Sequence, residues 1–167
     1  LRDLSFDIKK GQISIIIGGN GSGKTTLLRI IGGFLKQARG KVVKEKGIKI
    51  NYFPMEVRAL FIEDTVGEVL DIPWEEDEKN LPPSLLSTGK MRALGLLKVI
   101  NQNPDIILMD EPSGGLDFKW KNILASIIKE YVAPGGTVVM VTHDNSFANE
   151  IGDSINILFD GSIITKM

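Results

Sequence analysis

The chain contains no cysteine, a single histidine, two tryptophans and two tyrosines in 167 residues. Without cysteine it can hold neither a disulfide nor a thiolate-ligated metal, which suits an intracellular protein. Charge is balanced: 20 basic against 21 acidic side chains leave a formal charge of −1. Such a chain carries no electrostatic footprint for nucleic acid. No apolar run approaches the ~18–20 residues needed to span a bilayer. The opening stretch does not resemble a signal peptide, being charged at Arg2, Asp3, Asp7, Lys9 and Lys10. A membrane role would therefore come through a partner. The length predicts one domain, residues 1–167, with a sizeable core. The first residue is Leu rather than Met, so a short N-terminal piece is expected to be missing.

What is present is concentrated in GGNGSGKTT, Gly18 to Thr26. An apolar run from Ile13 to Ile17 precedes it and reads as a buried strand. A helical pattern, Leu27 to Ile31, follows and ends at Gly32-Gly33. Strand, glycine-rich loop and helix are the context that gives G-x-x-x-x-G-K-T a mechanism. Gly18, Gly21 and Gly23 let the backbone gather several N–H groups around one anion, together with Asn20 and Ser22. The helix start at Lys24, Thr25 and Thr26 adds its positive end. The Lys24 ammonium suits the β- and γ-phosphates, and the Thr25 hydroxyl suits Mg²⁺. These residues predict binding of a nucleoside triphosphate.

Elsewhere, Leu4 to Ile8 alternates as a half-buried strand, and Lys41 to Lys44 and Ile48 to Phe53 read as two further strand pieces. Thr65-Val66-Gly67-Glu68 has capping-box spacing for a short helix through Leu70. Helical spacing runs from Lys90 to Ile100 and from Phe118 to Tyr131, with a short helix at Ser146 to Ile151. Strands are expected at Ile106 to Met109, Thr137 to Val141 and Ile155 to Phe159, the last turning through Asp160-Gly161 into Ser162 to Thr165. Apolar strands alternating with helices imply an α/β fold with a mainly parallel sheet flanked by helices. The strand at Ile106 ends in Asp110 and Glu111, at the edge where open parallel sheets bind ligands. There Asp110 can join Thr25 at Mg²⁺, and Glu111 can orient and deprotonate a water.

With these residues in view, the chain resembles the ABC ATPase family from about Leu4 to Gly161. Leu86-Ser87-Thr88-Gly89-Lys90-Met91-Arg92 is similar to the signature LSGGQxxR, Pro112 to Asp117 to the D-loop, and Val141-Thr142-His143-Asp144 to the switch histidine. The resemblance implies a P-loop NTPase with a small antiparallel β subdomain and a short helical subdomain at about 55–88. It implies ATP and Mg²⁺ as ligands, Glu111 as general base, and His143 at the γ-phosphate. It further implies a second nucleotide-binding subunit facing head to tail, so that Ser87, Gly89 and Lys90 meet the partner's ATP. The family's setting adds a separate transmembrane permease and a peripheral position on the cytoplasmic face of the membrane.

Three departures stand out. Met55 follows Tyr52-Phe53-Pro54 where the family has glutamine, so either Glu56 takes over after a one-residue shift or the link to a membrane partner is altered, and alteration is favoured. Thr88 and Lys90 replace glycine and glutamine in the signature, and Lys90 is expected to strengthen ATP-driven closure. The segment from Met55 to Leu86 is short, either reduced or incomplete, and its Leu60, Phe61, Ile62, Val66, Leu70 and Trp74 form either its own core or a docking surface. The family's adenine-stacking aromatic is expected just before Leu1. Only 62 residues separate Lys24 from Ser87, which excludes the branch with a long coiled coil. A soluble assembly or remodelling ATPase is the alternative to a transporter subunit, and a regulatory half-site paired with a different subunit is a third reading.

Overall fold

The computed structural model describes residues 1, 4–62, 65–69 and 76–166. In chain order the elements are β1 (Ile13–Ile17), α1 (Lys24–Gly32), β2 (Ile50–Phe53), α2 (Val66–Val69), α3 (Glu76–Lys79), α4 (Thr88–Ile100), β3 (Ile106–Asp110), α5 (Phe118–Val132), β4 (Thr137–Thr142), α6 (Asn145–Ile151), β5 (Ser154–Phe159) and β6 (Ser162–Lys166).

The sheet order is β2-β3-β4-β1-β5-β6, with the first five strands parallel and β6 antiparallel to β5. Strands buried on both faces need apolar side chains in both directions, which explains the unbroken runs in β3 and β4. One face packs Ile16, Leu108, Val139 and Leu158 against Leu27, Leu28 and Ile31 of α1. The other packs Ile15, Ile107, Met109 and Met140 against Leu94, Leu124, Ile128 and Phe147 from the remaining helices.

Helix ends follow the sequence closely. Gly33 closes α1 in the left-handed region, its N–H reaching the Arg29 and Ile30 carbonyls. Ser87, Asp117 and Asp144 each accept a backbone N–H three residues on, capping α4, α5 and α6. Glu68 accepts the Thr65 N–H at 2.9 Å, half of the expected capping box. Asp160-Gly161, both at positive φ, make the tight turn between β5 and β6.

Two expected strand pieces differ. Leu4 to Ile8 and Lys41 to Lys44 carry no ladder, so the antiparallel β subdomain is not a separate sheet among the described residues. Leu4, Phe6 and Ile8 still pack on the α1 face; their alternation encodes a buried face, whereas a strand needs a partner's backbone as well. Val43, 80% exposed among lysines, has no face to bury. Ile50–Phe53 instead joins the main sheet beside β3. In the short segment, Val66 is fully buried and Leu60 and Phe61 pack on the main core, while Ile62 is 91% exposed. Leu70 and Trp74 lie outside the described residues.

Candidate functional site

Parallel strands bring their carboxyl ends to one edge, so the Gly18 loop after β1, Asp110 and Glu111 at the end of β3 and His143 after β4 meet there. Gly21 and Gly23 sit at φ +75° and +99°, conformations that L side chains rarely adopt. At Gly18 the reason is space: a Cβ would come within 2.6 Å of the Leu158 carbonyl oxygen and 2.8 Å of Ser22 Oγ. Lys24, nearly buried, donates through Nζ to the carbonyls of Gly18 and Gly19 at 2.9 and 3.0 Å. Ser22 Oγ is buried without a hydrogen-bond partner. An orphaned hydroxyl beside a buried ammonium and a glycine loop fits an oxyanion such as phosphate. Asn20, Gly21 and Thr26 are exposed around it. A cleft of about 460 Å³ adjoins the loop, lined by Leu1, Gly19, Asn20, Ser22, Phe159 and Gly161 among others.

The carboxylates differ in setting. Asp110 accepts from Thr25 Oγ1 at 3.0 Å on one oxygen and from the Tyr52 phenol at 2.8 Å on the other. Burial, with the Asp110 hydrogen bond and charge adding to it, pushes the Tyr52 phenol up to about 12, against the opposing effect of Arg29. Glu111 is 9% exposed and holds φ +49°. Its Oε2 accepts from Thr142 Oγ1 at 3.0 Å and the His143 N–H at 3.2 Å, and lies 2.9 Å from His143 Nδ1. Nδ1 lies on the Glu111 side of the ring, and Nε2 of the 64%-exposed His143 ring is the nitrogen open to a ligand. Among the described residues no cluster of three metal-ligating side chains occurs. Mg²⁺ does not require one, since one carboxylate, a hydroxyl, phosphate oxygens and water suffice. Thr25 and Asp110 fit that role.

Ser87, Gly89 and Lys90 sit at the start of α4, and no hydrogen bond among those described joins them to the loop. Gly89 is fixed by packing: a Cβ there would lie 2.1 Å from the Trp120 ring. Lys90 Nζ pairs with Glu78 of α3. Its expected charge toward a partner's phosphate is thus engaged within this chain.

Two residues make contacts at the site that the sequence does not announce. In the sequence Tyr52 stands only as part of a strand ending in proline, and no signal ties it to Asp110, 58 positions on. Arg92, nearly buried, donates from one terminal nitrogen to the Glu111 carbonyl (3.3 Å) and from the other to the Met55 carbonyl (3.4 Å), while its Nε has no partner. Burial lowers its pKa; Glu56 and Glu111 oppose that shift. Met55 itself is 62% exposed.

A glycine loop, its lysine, a Thr–Asp pair and a Glu–His pair on one edge of a parallel sheet define a P-loop nucleotide-binding domain. Comparison with known proteins is specific about which kind. The family described as "ABC transporter" matches residues 1–69, and "AAA domain, putative AbiEii toxin, Type IV TA system" matches 58–149. A "Putative ABC transporter ATP-binding protein" of Caldanaerobacter subterraneus subsp. tengcongensis is 33% identical over 194 residues, covering 95% of this chain and 80% of that protein. One of Clostridium tetani is 31% identical over 199 residues, covering 99% of this chain but 45% of its own length. A dimeric ATP-binding cassette in a post-hydrolysis state, bound to ADP and Pi, superposes with TM-score 0.81 at 26% identity, covering 99% of this chain and 89% of its own. The chain belongs to the ABC ATPase family. It is an ATP-binding cassette of the ABC transporter type, spanning less than half of the Clostridium tetani relative. Since 95% of 167 residues are spread over 194 aligned positions, about 35 positions of the Caldanaerobacter relative have no counterpart here.

Proposed function

We propose that this chain binds ATP with Mg²⁺ and hydrolyses it as the ATP-binding subunit of an ABC transporter. The observation that carries the reading is the Glu111–His143–Thr142 arrangement beside the Thr25–Asp110 pair, at the mouth of a loop with an orphaned hydroxyl. Gly18, Asn20, Gly21, Ser22, Gly23, Thr25 and Thr26 cradle the phosphates, and Lys24 turns from the loop carbonyls to the β- and γ-phosphates. Bound Mg²⁺ would neutralise phosphate charge, with Thr25 and Asp110 holding it. Glu111 takes the proton of the attacking water, while His143 positions that water and touches the γ-phosphate.

The second half of the proposal concerns partners. Ser87, Gly89 and Lys90 contact the ATP of a second nucleotide-binding subunit, which closes head to tail on ATP and opens after hydrolysis. Lys90 reaches that phosphate only by leaving Glu78. The single domain has its reduced helical part at about 55–88, which is where the shorter length relative to its relatives would fall. A separate transmembrane permease holds the subunit on the cytoplasmic face. Among the described residues no helix is long and apolar enough to cross a membrane itself.

Glu111→Gln tests the chemistry. Hydrolysis should fall by ~10²–10⁴-fold, the usual size of a general-base effect, with ATP binding retained. Turnover at the wild-type rate would remove Glu111 from the role.

A further inference from the structure

We infer that Tyr52 is a positioning residue for the Mg²⁺ corner, locking the Asp110 carboxylate so that its other oxygen faces Thr25. The inference rests on the reading of Thr25 and Asp110 as that corner. A carboxylate held at one oxygen can turn about its terminal torsion, which is broad and two-fold. Asp110 has no such freedom: Thr25 Oγ1 donates to Oδ1 and the Tyr52 phenol donates to Oδ2. The residue is 4% exposed, so water has little room to replace either donor. Thr25, by donating its proton to Asp110, keeps its oxygen lone pairs for a cation.

The phenol is itself held from two sides. Its backbone lies in β2, paired with β3 at Leu108, two residues before Asp110. Its ring meets Phe34 edge to face, centroids 5.6 Å apart at 68°. Phe34 owes its place to Gly32, where a Cβ would come within 2.4 Å of the ring. Helix α1 therefore serves the corner at both ends. Thr25 stands in its first turn, and its glycine exit seats the ring that seats Tyr52. The Met55 side chain, three residues after Tyr52 and largely exposed, carries no oxygen. The polar group that β2 delivers to the site is the phenol.

Partners of metal-ligating groups act on metal affinity more than on the rest of a site, and their loss typically costs ~10–100-fold in affinity. The test is calorimetric binding of ADP to the full chain, with MgCl₂ and separately with EDTA, for wild type and Tyr52→Phe. The expected result is a drop of about tenfold in the affinity gained from Mg²⁺, with ADP affinity in EDTA unchanged. Phe34→Leu, which loosens the ring without removing the hydroxyl, should give a smaller loss of the same kind. Either of two results overturns the inference: a full Mg²⁺ gain in Tyr52→Phe, or an equal loss with and without the metal, as a purely structural role would give. A wild type whose ADP affinity ignores Mg²⁺ would instead overturn the reading of Thr25 and Asp110.

Discussion

Asp144 shows how much one side chain beside the switch histidine has to hold. Its Oδ2 accepts from Ser113 Oγ at 3.1 Å and pairs with Lys121 Nζ at 2.5 Å, while Oδ1 caps α6 at the Phe147 N–H. Burial works against the charge, yet the Lys121, Phe147 and Ser113 hydrogen bonds outweigh it and hold the carboxyl below its ordinary value. A depressed folded pKa gives stability that is present above the unfolded value near ~3.9 and lost as pH falls through the folded one. Asp144→Asn should therefore cost about 1–3 kcal/mol at pH 7, and the penalty should shrink below about pH 4. Thermal unfolding of both proteins from pH 7 down to pH 3 measures it. A penalty that stays constant over that range would contradict the assignment.

Among the elements, α4 is the one whose placement the proposed partner contact depends on. Ser87 caps it, Arg92 ties it to the Glu111 and Met55 carbonyls, and Trp120 of α5 lies across Gly89. Gly89→Ala would drive a methyl into the indole and should cost roughly 1–3 kcal/mol, the usual range for overpacking. Adding Trp120→Leu should recover part of it. Denaturant midpoints of the single and double variants decide, and additive losses would contradict the contact. The same element shows what the sequence could and could not tell. The phosphate loop, Asp110-Glu111 and the signature stretch before α4 were legible because each is a contiguous string whose chemistry depends on its own spacing. Tyr52 with Asp110, Arg92 with the Glu111 carbonyl and Lys90 with Glu78 join distant positions, and no local pattern announces such pairs. The stretch at 4–8 failed as a strand for a related reason, since alternation describes a face and a ladder needs another strand's backbone, whereas 41–44 does not alternate and buries no face.

For the whole molecule, the proposal is that one chain holds half of each ATP site. The phosphate loop and Glu111 lie on the edge of the sheet, Ser87, Gly89 and Lys90 stand at the head of α4, and no described hydrogen bond links the two sets. The measurement that tests this most directly is sedimentation of Glu111→Gln with and without ATP and Mg²⁺. ATP should convert the protein to a dimer that persists because hydrolysis is slow, while Glu111→Gln carrying Ser87→Arg should bind ATP and stay monomeric. A Glu111→Gln protein that binds ATP yet remains a monomer at every concentration, or a dimer indifferent to the Ser87 change, would contradict the account.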